Sequence, residues 1–152
     1  MKKLVFIITV ILFSISAKAQ IIDGEDGLYY DENKNLYSGI YTEFFETGQK
    51  RIELSLQEGM KDGKTILYAK NGHQKEIRSY KNNKMDGTWI TWNEKGVKIA
   101  EANYLDGKKN GKWYVWDDNG AIRYDMTYLD GKKSGKWIMY DESGNIVSEK
   151  KY

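Results

Sequence analysis

Apolar and polar positions alternate along most of the chain, and glycine interrupts the alternation at fixed intervals. Ile52-Glu53-Leu54-Ser55-Leu56 and Tyr124-Asp125-Met126-Thr127-Tyr128 send every second side chain to one side, the period of a β-strand with two unlike faces. Runs rich in aromatic and β-branched residues precede them: IYTEFF, KTILYA, TWITWN, KWYVWD and KWIMYD. Short polar turns such as ETGQ, NGHQ, EKG, DNG and ESG separate the two kinds of run. The DNG form suits a type I turn closed by a left-handed glycine. Each pair of runs is predicted to be one β-hairpin, and the chain a meander of hairpins.

The interruptions are periodic. Gly39, Gly63, Gly87, Gly111 and Gly135 stand 24 residues apart, and so do Gly48, Gly72, Gly96, Gly120 and Gly144. A third column reads Gly59, Asn83, Gly107, Gly131, its one exception being asparagine, which tolerates a left-handed backbone best after glycine. Such columns predict turns that need φ > 0. The fold expected is all-β, an elongated single-layer antiparallel meander of stacked β-hairpins built from five 24-residue repeats over 39–152, the last one truncated. Residues 20–38 form a lead-in or capping hairpin, in which GLYYDENKNLYSG reads as a degenerate copy of the unit. Tyr152 falls in the column of Leu56, Tyr80, Tyr104 and Tyr128, so the last strand is complete there. With strands about 4.8 Å apart, each unit advances the ribbon roughly 10 Å and the whole on the order of 50 Å.

The motif G-x-W-x-x-[YW]-x-x-x-G followed by Y-x-[DN]-G-K-x-[DNS]-G, clearest over 87–144, resembles the bacterial MORN-repeat variant family, the group labelled YwqK-like antitoxins. The resemblance covers roughly 27–152. It implies MORN-type repeats in one twisted sheet, no shared catalytic residues, and, through the label, an antitoxin or immunity protein that neutralises a toxin. Thr65 stands where later units have tryptophan, and Asn83 replaces a glycine.

Face assignment follows from the turn. If Asp117 faces Ala121, then Trp116 faces Ile122 and Tyr114 faces Tyr124, giving one apolar face with Met126 and Tyr128. Trp89, Trp113 and Trp137 then form a column on the opposite face, with Tyr41 and Thr65 at its earlier positions. Glu101, Asp125 and Glu149 lie beside them. An aromatic row bordered by carboxylates would suit a peptide, a sugar or a cationic partner, or would simply roof the sheet and keep it soluble. A one-residue change in register would expose Trp92 and Trp116 instead.

Charge adds a second candidate. The stretches between units carry a net +5 and the hairpin tips a net −4. Lys108, Lys109, Lys112, Lys132, Lys133 and Lys136 are thereby expected to cluster on one edge. That edge could meet an anionic surface, or guard against stray strand pairing. The two end strands leave end-to-end self-association open.

Residues 1–19 read as a secretory signal: Lys2 and Lys3, an apolar run from Leu4 to Ile15, and the cleavage site Ala17-Lys18-Ala19. Cleavage near Ala19 leaves 21 basic against 22 acidic residues, so the chain is expected in the periplasm or outside the cell, with no call for nucleic acid. No cysteine is present, which removes disulfides, thiol chemistry and lipid attachment through cysteine. His73 is the single histidine and sits in a turn, so neither a triad nor a histidine or thiolate metal site is expected. The cluster Asp117, Asp118, Asn119 reads as turn chemistry rather than a calcium loop. No cofactor is expected. The reading is a non-catalytic exported scaffold that binds another protein through an aromatic sheet face or an end strand; the alternatives are a binder of glycans or anionic envelope surfaces, and an antitoxin.

Overall fold

The computed structural model describes residues 21–152, so the signal segment 1–19 lies outside the described residues. The strands are β1 Ile22–Asp23, β2 Tyr29–Tyr30, β3 Gly39–Phe44, β4 Lys50–Gln57, β5 Met60–Tyr68, β6 Gln74–Lys81 and β7 Lys84–Met85. They continue as β8 Gly87–Trp92, β9 Lys98–Leu105, β10 Lys108–Lys109, β11 Gly111–Trp116, β12 Ile122–Leu129, β13 Lys132–Tyr140 and β14 Ile146–Lys151. From β3 to β14 they make one 12-stranded antiparallel meander in chain order, as the hairpin pattern requires.

Both kinds of turn use positive φ. At the hairpin tips Gly120 has φ 86°, and the Asp117 carboxylate accepts the N–H groups of Asn119 at 2.9 Å and Ala121 at 3.0 Å. The turns between units are two-residue turns in which both residues are left-handed: Glu58-Gly59, Asn82-Asn83, Asp106-Gly107 and Asp130-Gly131.

Each of these turns is bonded to the unit before it. Asn83, Gly107 and Gly131 donate their N–H to the carbonyls of Lys61, Met85 and Lys109 at 2.8–2.9 Å. One residue earlier, the N–H groups of Asn82, Asp106 and Asp130 go to side-chain oxygens of Asp62, Asp86 and Asn110. The small polar residue before each unit's first glycine is therefore an acceptor for the next unit's turn. That glycine sits at a bulge where it nears the preceding strand: a Cβ on Gly63 would lie 3.0 Å from the Ser55 Cβ, and on Gly87 3.1 Å from the Ser79 Cβ. With φ of 100° and 95°, both positions exclude ordinary side chains.

The lead-in pairs as a short antiparallel hairpin outside the main sheet. It does not extend the meander: β1 pairs with β2, Tyr30 of β2 also bridges to Leu36, and the segment folds back along the first two units. Tyr29 N–H bonds the Gly59 carbonyl and Gly59 N–H the Tyr37 carbonyl, each at 2.8 Å. Its sequence ends in a turn around Asp31, whose carboxylate takes the N–H groups of Asn33 and Asn35, so the chain reverses too early to continue the sheet. Beneath it lies the buried core, Leu54 at 6% and Leu56 at 4% exposure.

Candidate functional site

The register places the aromatic column on a different face from the one the turn suggested. Trp116 does pair with Ile122, but the next pair is Val115 with Tyr124, because Arg123 is an extra residue in the strand. Tyr114 thus pairs with Asp125 and not with Tyr124. The same bulge recurs one residue from every tip, at Arg51, Lys75, Ile99, Arg123 and Val147. Beyond it all side chains change sides. Trp89, Trp113 and Trp137 therefore share a face with Tyr80, Tyr104, Tyr128 and Tyr152.

These seven rings form one ladder. Centroids are 5.7 Å apart for Tyr80–Trp89, then 4.9, 5.2, 5.1, 5.1 and 5.4 Å along the series to Tyr152, tilted or edge-on throughout. Gly87 and Gly111 stand opposite Tyr104 and Tyr128, leaving room for the rings to lie over bare backbone. Each indole is also fixed by a hydrogen bond: Trp89, Trp113 and Trp137 donate Nε1–H to the carbonyls of Ser79, Asn103 and Thr127 at 3.1, 2.9 and 2.8 Å. Burial, followed by the neighbouring Tyr80 and Tyr128 hydroxyls, pushes the Tyr104 phenol up.

The carboxylates lie on the other face. Register pairs run Glu53–Ile66–Ile77–Ile90–Glu101–Tyr114–Asp125–Ile138–Glu149, a row of apolar residues and acids. Each acid is met by a lysine: Lys50–Glu53 at 2.6 Å, Lys98–Glu101 at 2.9 Å, Lys112–Asp125 at 2.7 Å and Lys136–Glu149 at 2.7 Å. Bonds to Asp125 and Glu149 raise the ammonium pKa of Lys112 and Lys136 respectively. Glu101, Asp125 and Glu149 thus do not border the tryptophans.

The six lysines expected on one edge divide three ways. Lys112 and Lys136 join the acidic face, as above. Lys108 stays at the edge, paired with Asp130 at 2.6 Å as Lys84 is with Asp106 at 2.7 Å, and Lys132 acts on Asp130 as well. Lys109 and Lys133 move to the aromatic face. Their ammonium groups sit 4.2 Å from the Trp113 centroid and 4.3 Å from that of Trp137, with Tyr128 and Tyr152 at 4.8 and 5.1 Å. Lys150 follows on the same face, since it pairs with Trp137.

The two halves of this face differ in access. Around Tyr41, Leu54 and Thr65, Ile21, Asp23 and Tyr29 of the lead-in close a cavity of about 250 Å³, lined also by Arg78 and Tyr80. Thr65 holds the tryptophan position there, and its hydroxyl and the Arg78 Nε are buried with no protein partner. At the other end Met126, Trp137, Met139, Lys133, Lys150 and Tyr152 line an open groove of about 370 Å³. Sequence reasoning put Met126 and Tyr128 on the opposite face and passed over Lys150 and Met139; the pairing of Trp113 with Met126 shows the shift, and two-residue spacing from Trp137 and Tyr152 would have found the other two once the bulge was known. His73 lies in a tip turn, its N–H bonded to the Asn71 side chain at 3.0 Å. No group of three or more potential metal-ligating residues stands together among the described residues.

No curated protein matches the chain. Residues 109–130 and 133–152 match the family model of the MORN repeat variant. These segments fall in the last two copies of a 24-residue unit whose columns run back to Gly39, and in them the chain is similar to MORN repeats.

Proposed function

We propose that this repeat scaffold is a non-catalytic exported protein that binds an acidic segment of another protein on the C-terminal half of its aromatic face. The observation that carries the reading is the ammonium groups of Lys109 and Lys133 over the indole–phenol ladder, on a stretch whose rows hold no carboxylate. Flat rings supply contact area at small entropic cost, and lysines beside them favour carboxylates and phenol or amide edges. The charged start, apolar run and Ala17-Lys18-Ala19 pattern of residues 1–19 support export. The same lysines suit an anionic glycan or lipid surface, which is the second reading.

The test uses full-length tagged protein expressed and exported in its own cells, cross-linked and analysed by mass spectrometry beside a Lys109→Ser/Lys133→Ser/Lys150→Ser variant. These side chains lie over the rings rather than between them, so the ring stack and strand pairing persist and the far-ultraviolet circular dichroism is expected to stay unchanged. A protein captured by the parent and lost from the folded variant supports the reading. Retention of every partner by the variant removes the face as the site. Loss of binding only to anionic liposomes or acidic glycans transfers it to the second reading. The mass of the exported chain tests cleavage after Ala19.

A further inference from the structure

Among the described residues the two outer strands of the sheet, β3 and β14, each pair on one side only. We propose that they pair with each other between copies, so that β14 of one molecule adds to β3 of the next and the meander continues head to tail. The seam lies along the strand edges and shares only Lys150 and Tyr152 with the end of the aromatic face.

The 24-residue period makes the two edges match. Inside the molecule, β6 meets β8 with Glu76 opposite Thr91 and Ile77 opposite Ile90. Three units later in sequence, β6 corresponds to β14; two units earlier, β8 corresponds to β3. The same seam between copies puts Ser148 opposite Glu43 and Glu149 opposite Thr42. Its ring contacts have counterparts as well. Arg78 lies 5.3 Å from the Trp89 centroid, and Tyr80 packs 5.7 Å from it. Lys150 and Tyr152 hold those positions on β14, and Tyr41 holds the tryptophan position on β3. The ladder would pass from Tyr152 to Tyr41 without a break in its spacing.

The backbone groups are oriented for this. Gly135 and Tyr152 exchange both N–H···O=C bonds, at 3.2 and 2.9 Å, so by alternation Glu149 and Lys151 turn theirs outward. On β3 the Ile40 carbonyl points outward, where the Tyr37 hydroxyl approaches it at 3.4 Å; the equivalent Thr88 carbonyl takes the Ser79 hydroxyl at 2.9 Å from the preceding strand. Ile40 is 67% exposed and Tyr152 51%, both at these edges. Charge agrees, since Lys150 comes diagonally beside Glu43.

The seam is weaker than an internal one. Internally, Asn82 and Asn83 bond back to Asp62 and Lys61. Their counterparts Lys34 and Asn35 already give their N–H groups to Asp31. Only strand pairing and the ring contacts hold the copies, so association is concentration-dependent, and its heterologous geometry is open-ended.

The chain has no cysteine, which makes cross-linking site-specific. Thr42→Cys protein and Glu149→Cys protein, mixed in equal amounts with a short bismaleimide, are expected to give a mixed dimer that neither gives alone. The mass of the parent by sedimentation should rise with concentration. Thr42→Pro removes one outward N–H, leaves the bonds to β4 intact and should hold the protein at monomer mass with unchanged circular dichroism. A mass that stays monomeric for the parent at every concentration, or Glu149→Cys protein that links to itself alone, overturns the head-to-tail arrangement; the latter assigns β14-to-β14 pairing instead.

Discussion

The first two repeats and the last three share a backbone and a register, yet they shelter the same face by different means. Over Leu54, Leu56 and Thr65 the lead-in lies as a second layer, and here alone in the sheet strands are side chains buried. From Trp89 onward no second layer is present among the described residues, and broad rings laid edge to face cover the strands instead. The contrast shows what tryptophan contributes to a single-layer sheet. A ring about as wide as the strand spacing can serve as its own roof, provided a glycine opposite leaves space and a carbonyl fixes the ring's tilt.

The largest effect expected tests what the halves have in common. Gly63→Val adds a β-branched side chain at φ 100° with its Cβ 3.0 Å from that of Ser55, and should cost about 3 kcal/mol in urea denaturation. Gly135→Val, at φ 61° and 3.6 Å from the Thr127 Cβ, should cost about half as much by the same sum of terms. Next comes the roof itself. Trp113→Ala unlinks Tyr104 from Tyr128 and should destabilise by about 2–3 kcal/mol, whereas Trp113→Phe, which loses the bond to Asn103, should cost about 1 kcal/mol. Hydrogen exchange should show the loss confined to β9–β12, with the covered repeats unaffected.

A smaller change should reverse sign. Thr65→Trp restores the column beneath the lead-in, where Thr65 is only 4% exposed and packed around, and is expected to destabilise by about 1–2 kcal/mol. In a chain lacking residues 21–38 the same substitution should stabilise, because the ring then replaces the missing cover. If it destabilises both chains equally, the two devices are not alternatives. The least effect concerns pH. Burial, then the hydrogen bond to Glu53, pushes the Tyr68 phenol up to about 12 from 10.0. Because the folded value is the higher one, this contribution is whole below pH 10 and is lost as pH rises through about 12. Tyr68→Phe should remove one late-ionising tyrosine from an ultraviolet titration and flatten stability in that window.

Much of the fold was legible because its turns need backbone geometry that few residues adopt. The glycine columns at 39–135, 48–144 and 59–131 each mark a left-handed position, and Asn83, the exception, is left-handed too at φ 63°. The first turn residue, from Glu58 to Asp130, is equally left-handed but carries residues common anywhere on a surface. The candidate site was misread for a similar reason. A bulge at Arg51, Lys75, Ile99, Arg123 or Val147 has no preferred residue type, so nothing in those five letters announces it. One unmarked residue per hairpin moved the acids to the far side of the sheet and brought Lys109 and Lys133 to the tryptophans. The site therefore changed from one edged with negative charge to one edged with positive charge, while the residues at its centre stayed the same.

The acceptors at Asp62, Asp86 and Asn110 have a consequence for how such a protein changes over generations. Each seam takes its donors from one unit and its acceptors from the unit before, at the same two positions every time. A duplicated or lost copy of 24 residues leaves every remaining seam with both halves of its bonding. Length can thus be altered by whole modules, like links in a watch strap, while a gain or loss of any other number of residues would strand donors and acceptors at once.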